Sequence, residues 1–134
     1  MTMTSQASSY IPGMCNINPA EVTSRRKAMW FGIALSVGLL VACLFFKLEV
    51  WWRPVILFVP VYIGAIGYLQ VRNRFCVGYA ASGRQNAEEG SSEAHIITEH
   101  DAQIADKKKA RKMRLQALWI TIAALVLLAF IPNF

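Results

Sequence analysis

Three long apolar runs set the hydrophobic pattern of this chain. Residues 28–46 run for about nineteen positions without a charge and residues 54–71 for about eighteen, near the roughly 20 apolar residues that a helix needs to cross a hydrocarbon core of about 30 Å. Only Lys47-Leu48-Glu49-Val50-Trp51-Trp52-Arg53 separates them. A turn that short forces the two helices antiparallel, as a hairpin. A third run, rich in Ala, Leu and Ile, occupies 115–131 and is closed by Pro132, which cannot continue a helix. The pattern predicts an all-α membrane protein with three transmembrane helices, a helical hairpin plus a third span.

Polar positions divide the rest. Residues 1–18 read as a mobile N-terminal tail, Ser/Thr-rich as far as Pro12-Gly13. Asn18 is a suitable N-cap, Pro19 suits the first helical position, and Glu21 can return a bond to the cap. The first helix therefore starts near Pro19, outside the membrane, and enters it without a break. Residues 19–82 form the hairpin unit, and Pro60 removes a backbone bond within its second span. Phe75 and Tyr79 are spaced to dip one helical face back into the interface. Residues 83–98, with Gly90-Ser91-Ser92 among acidic residues, read as a cytoplasmic linker without a core. Residues 99–134 read as a basic cytoplasmic helix continuing into the third span.

Charge orients this arrangement. The chain has 134 residues, a net charge of +6, 55% hydrophobic residues and a mean hydropathy of +0.37, which leaves little room for a soluble domain. Arg25, Arg26 and Lys27 precede the first span. Arg72, Arg74, Arg84, Lys107, Lys108, Lys109, Arg111, Lys112 and Arg114 lie between the second and third, and only Lys47 and Arg53 lie in the hairpin turn. The positive-inside rule then places the N-terminus in the cytoplasm and the C-terminus outside, a multi-pass arrangement in a bacterial inner membrane. Every basic cluster abuts a span, so the lipid bilayer accounts for it and no nucleic-acid partner is expected. No secretory signal is recognisable at the start.

Candidate chemistry is sparse. Small residues at four-residue spacing, Gly32 with Ser36 and Gly38 with Ala42, together with Gly64 and Gly67, mark helix-packing faces, for the hairpin itself or for a homo-oligomer. Trp30, Trp51, Trp52, Arg25, Arg26, Lys27, Arg72, Arg74, Lys112 and Arg114 are the interface anchors. No Asp, Glu, Lys, Arg or His lies within a span, which counts against pumps, coupled transporters and haem ligation. His95 and His100 do not share a helical face, so no metal and no cofactor are expected. Phosphate-binding and hydrolase signatures are missing. Cys15 and Cys76 remain: both flank the hairpin on its basic side, near Arg72, Arg74 and a helix N-terminus, surroundings of the kind that make a thiol reactive.

Asn16-Ile17 with Arg25 and Arg26 downstream, then Gly32, the Trp51-Trp52 turn, Pro60, Gly64, Gly67, and Phe75-Cys76 with Tyr79 and Gly83, together resemble the YgaP-like transmembrane family, a small two-helix inner-membrane domain found alone or fused to a rhodanese. The resemblance covers roughly residues 15–86 and implies a hairpin with both ends in the cytoplasm. The family's Phe-Cys-Pro segment stands here as Phe75-Cys76-Val77, and the third span lies outside the family pattern. No rhodanese part accompanies the domain in this sequence, so the resemblance carries over no sulfur transfer. The expected function is that of a non-enzymatic accessory or stabilising subunit, or anchor, of a larger membrane complex. The alternative is a thiol or persulfide relay using Cys76 and Cys15.

Overall fold

A computed structural model of the chain describes residues 10–88 and 93–132. Its elements in order are α1 (Pro19–Phe45), α2 (Trp52–Asn73), the one-turn α3 (Val77–Ala81), β1 (Arg84–Gln85), β2 (His95–Ile96) and α4 (His100–Ala129). Helices α1, α2 and α4 are long and apolar enough to cross a membrane. The 27 residues of α1 make a rod of about 40 Å, about 10 Å more than the roughly 30 Å thickness of a hydrocarbon core.

Helix α1 begins as its cap signal requires. Asn18 is extended and its side chain accepts from the Glu21 N–H at 2.9 Å, with Pro19 at the first helical position. The Glu21 carboxylate does not return to the cap; it reaches across to Tyr79 and Asn86. Helix α2 runs through Pro60 and stops at Arg74, whose left-handed conformation (φ 50°, ψ 49°) lets its N–H bond back to Gln70 and Val71 carbonyls. Gln70 then accepts from the Val77 N–H at 3.1 Å, turning the chain into α3.

Helix α2 is the central helix, packed on one side by α1 and on another by α4. Against α1 the fit is backbone to backbone. A Cβ at Gly32 would lie 2.6 Å from the Gly64 nitrogen, and one at Gly67 would lie 2.9 Å from Cα of Met29. Gly38 differs: a Cβ there meets nothing within 4 Å, so the expectation that Gly38 packs within the hairpin is corrected. On α4 the buried stripe is Ala102, Asp106, Ala110, Met113, Ala117, Thr121 and Leu125, of which Ala110, Met113 and Ala117 pack in the core shared with α2. Spacings of three and four keep these on one face, and the alanines let α4 close on Ala65, Leu69, Phe75 and Ala80. Phe75 is fully buried in this core and does not dip into the interface.

Two expected boundaries need correction. Residues 10–18, assigned above to a mobile tail, are packed: Asn16, Ile17 and Asn18 are each at most 2% exposed. Ile11 and Cys15 exchange backbone bonds around a turn in which Gly13 takes φ +74°. Residues 1–9 lie outside the described residues. The segment 83–98 is more than a linker, because β1 and β2 pair antiparallel and Asn86 and Ala87 are buried; residues 89–92 of that segment lie outside the described residues. The reason is shared. Three short polar pieces, each too short to bury a core alone, satisfy one another's backbone groups at the basic end of the bundle.

Candidate functional site

The polar end of the hairpin is built around residues 16–18. Asn16 donates its backbone N–H to the Arg74 carbonyl (3.1 Å), its own carbonyl accepts from the Asn86 N–H (2.7 Å), and the Asn86 carbonyl accepts from the Asn18 N–H (2.8 Å). Ile17 and Asn86 thus pair as a parallel bridge. The Asn16 side chain doubles the link: Oδ1 accepts from the Cys76 N–H at 2.6 Å and Nδ2 donates to the Cys76 carbonyl at 3.1 Å. Buried backbone groups left without partners would cost on the order of 1–3 kcal/mol each, and here a carboxamide supplies them.

Glu21 is the charged centre of the cluster. Its Oε2 accepts from the Tyr79 hydroxyl at 2.6 Å and from Asn86 Nδ2 at 2.7 Å, and its Oε1 lies 3.4 Å from Arg25 Nη1. Burial works against the Glu21 charge, but the two hydrogen bonds and the Arg25 guanidinium prevail and hold its carboxyl below the usual range. The same hydrogen bond, with burial, pushes the Tyr79 hydroxyl up. Arg25 lies over the Tyr79 ring, 5.6 Å from its centroid, and donates from Nη2 to the Cys76 sulfur at 3.1 Å.

A second anchor ties the N-terminal segment to α4. Asp106, fully buried, accepts from the Tyr10 hydroxyl and from the Gly13 N–H, both at 2.7 Å. Burial, then the Asp106 bond and charge, push the Tyr10 hydroxyl above its ordinary value. At the opposite end of the bundle Arg53, placed above in the hairpin turn, is 1% exposed within the first turn of α2. Its Nη1 donates to the carbonyls of Leu128 (2.9 Å) and Ile131 (2.5 Å), where α4 leaves carbonyls without intrahelical partners and where a cation suits the helix dipole.

The structure separates the two thiols by partner. Cys76, 5% exposed, faces Arg25, whereas Cys15, half-buried, faces the Ile17 carbonyl at 3.7 Å; both are free, as is the buried Cys43. Among the other expected site residues, Gly32, Gly64 and Gly67 meet at the hairpin crossing. Ser36 bonds back to the Gly32 carbonyl at 2.7 Å. Trp30, Trp51 and Trp52 are exposed, the last two stacked at 4.8 Å. Arg26, Lys27, Arg72, Arg74, Lys112 and Arg114 are exposed, unlike Arg25. Among the described residues no three His, Cys, Asp or Glu side chains converge as a metal site would need.

Sequence reasoning missed Asn86, Asp106, Tyr10 and the capping role of Arg53. A local signal existed for one of them. Asp106 sits in a four-residue rhythm of small residues with Ala102 and Ala110, which marks it as facing inward. Asn86 and Arg53 act on residues 65 to 78 positions away, and no local pattern reports that. No family model, curated protein or solved structure matches this chain.

Proposed function

We propose that this chain is a non-enzymatic, multi-pass protein of the bacterial inner membrane, with its N-terminus in the cytoplasm and its C-terminus outside, acting as an accessory subunit or anchor that stabilises a larger membrane complex. One observation carries the reading. The buried and half-buried polar side chains Asn16, Glu21, Arg25, Tyr79, Asn86 and Asp106 at the basic end bond to neighbouring groups of the chain, while α1, α2 and α4 present wide apolar faces such as Phe31, Val37 and Phe45 of α1, Val55 and Val59 of α2, and Trp119 and Leu127 of α4. A prefolded polar cap over helices with unsatisfied apolar sides suits a protein whose work is to pack within the bilayer. The hairpin's resemblance to the YgaP-like transmembrane domain implies both hairpin ends in the cytoplasm, in keeping with that orientation. The test is affinity capture of the tagged chain from its native membrane in mild detergent, with stoichiometry read by native mass spectrometry. A fixed-ratio complex supports an accessory subunit; a lone monomer refutes it, and a homo-oligomer replaces the partner by a second copy.

The Arg25–Cys76 contact favours one alternative, a thiol or persulfide relay at the cytoplasmic face. A guanidinium 3.1 Å from a sulfur is a suitable counter-ion for a thiolate or persulfide. A wild-type phenotype for the double variant Cys15→Ser/Cys76→Ser would remove this alternative.

A further inference from the structure

Helices α1 and α4 contact different sides of α2, α1 through Gly64 and Gly67 and α4 through Leu69 and Ile66. Between these contacts one side of α2 stays open as a groove of about 340 Å³, walled by Met29, Ile33 and Val37 of α1, Val61 and Ala65 of α2, and Ile120 of α4. Its two hydroxyls are engaged already: Ser36 donates to the Gly32 carbonyl at 2.7 Å, and Tyr68 accepts from Arg72 Nη1 at 3.3 Å. The groove therefore offers hydrocarbon along its length and a cation at one end.

Size decides what fits. A transmembrane helix is about 10 Å across with its side chains, whereas the groove is one apolar furrow between neighbouring helices that ends beside a cation. A single hydrocarbon chain is narrow enough to lie in it. Register decides the depth. Gly67 against Met29 and Gly64 against Ile33 fix how α1 and α2 align, so Tyr68 is level with Met29 and Val61 with Ser36, next to Val37. That length is about 10 Å at 1.5 Å per residue, within the roughly 15 Å of one leaflet. One turn beyond Tyr68 and Met29, at headgroup level, stand Arg72 and Arg26, both exposed.

We propose that this groove is a binding site for one anionic phospholipid of the leaflet on the basic side of the protein, with an acyl chain against Val37, Val61 and Ile120 and the phosphate at Arg72 and Arg26. The inference rests on the reading of the chain as membrane-inserted. The experiment places the purified full-length chain in nanodiscs of equimolar phosphatidylglycerol and phosphatidylcholine and releases it for native mass spectrometry under rising collisional activation. The expected result is one phosphatidylglycerol retained after phosphatidylcholine has been stripped. Arg72→Gln should lower that retention about fivefold, the loss of one cation near an anionic surface. Val37→Phe, on the groove wall at 57% exposure, should abolish it by filling the groove, and Val41→Phe, one turn further along α1 and outside the groove, should leave it unchanged. Equal retention of both lipids, full retention in Val37→Phe, or an oligomer that carries no lipid would each overturn the site. Failure of the chain to enter nanodiscs at all would overturn the membrane reading and the site with it.

Discussion

Asn16 and Cys76, sixty residues apart, are joined by two buried hydrogen bonds, the Asn16 carboxamide standing in for a strand that would otherwise pair with the Cys76 backbone. This couples the segment entering α1 to the segment leaving α2, closing the hairpin at its open end. Asn16→Ala strands one N–H and one carbonyl and should cost about 2–4 kcal/mol. Asn16→Asp keeps the acceptor but loses the donor and buries a charge, so it should not rescue. Unfolding by denaturing detergent, followed by tryptophan fluorescence, measures both; a wild-type midpoint for Asn16→Ala would show that the pair contributes nothing.

The two small-residue pairs of α1 should behave oppositely. Gly32→Ala pushes a methyl into the Gly64 backbone, which no rotamer change relieves, and should destabilise the hairpin by about 1–3 kcal/mol. Gly38→Ala meets open space and should be neutral or stabilising by up to about 1 kcal/mol through helix propensity. The same unfolding assay compares them. If Gly38→Ala instead weakens self-association in the membrane, that face belongs to a homo-oligomer.

Arg53 caps α4 from the first turn of α2. Arg53→Met keeps the length of the side chain but removes its donors to Leu128 and Ile131. Charge-assisted bonds of this kind contribute about 1.5–3 kcal/mol, so amide exchange in the last turns of α4 should accelerate roughly tenfold or more. Exchange at the basic end of α4 should not change.

The Glu21–Tyr79 bond predicts a stability plateau bounded on both sides. Glu21 titrates below its ordinary 4.5 when folded, so its contribution is complete above that pH and is lost as pH falls through the depressed value. Tyr79 titrates above its ordinary 10.0, so its contribution is complete below that pH and is lost as pH rises through the raised value. Thermal unfolding between about pH 3 and 11 should show both limbs, and Glu21→Gln should flatten the acid one. An acid limb unchanged in Glu21→Gln would assign it to other carboxylates.

Thiol accessibility should follow burial. Cys15 should react with a water-soluble maleimide well before Cys76, and Cys43 should be slowest, being 1% exposed. Arg25→Ala removes the guanidinium packed over Tyr79 and against the Cys76 sulfur, so it should raise Cys76 labelling by roughly tenfold if local opening is eased by about 1.4 kcal/mol. Mass spectrometry of each cysteine peptide reads the order.

The sequence by itself determined the three long helices and the start of α1. Runs of apolar residues of membrane length and an Asn-Pro cap signal act locally, through hydrogen bonds within one helix and through transfer of side chains out of water. It also marked Gly32, Gly64 and Gly67 as places of close approach. It did not separate Gly32 from Gly38. The faces of such a helix are alike in being apolar, so periodicity does not distinguish a side that meets another helix from a side left exposed; only the position of α2 does. The ordering of residues 10–18, the burial of Asn86 and Asp106, and the removal of Arg53 from the turn into a cap were likewise decided by tertiary structure. Each depends on a polar group finding its partner many positions away, and burial turns that match into a requirement because an unmatched group there is costly.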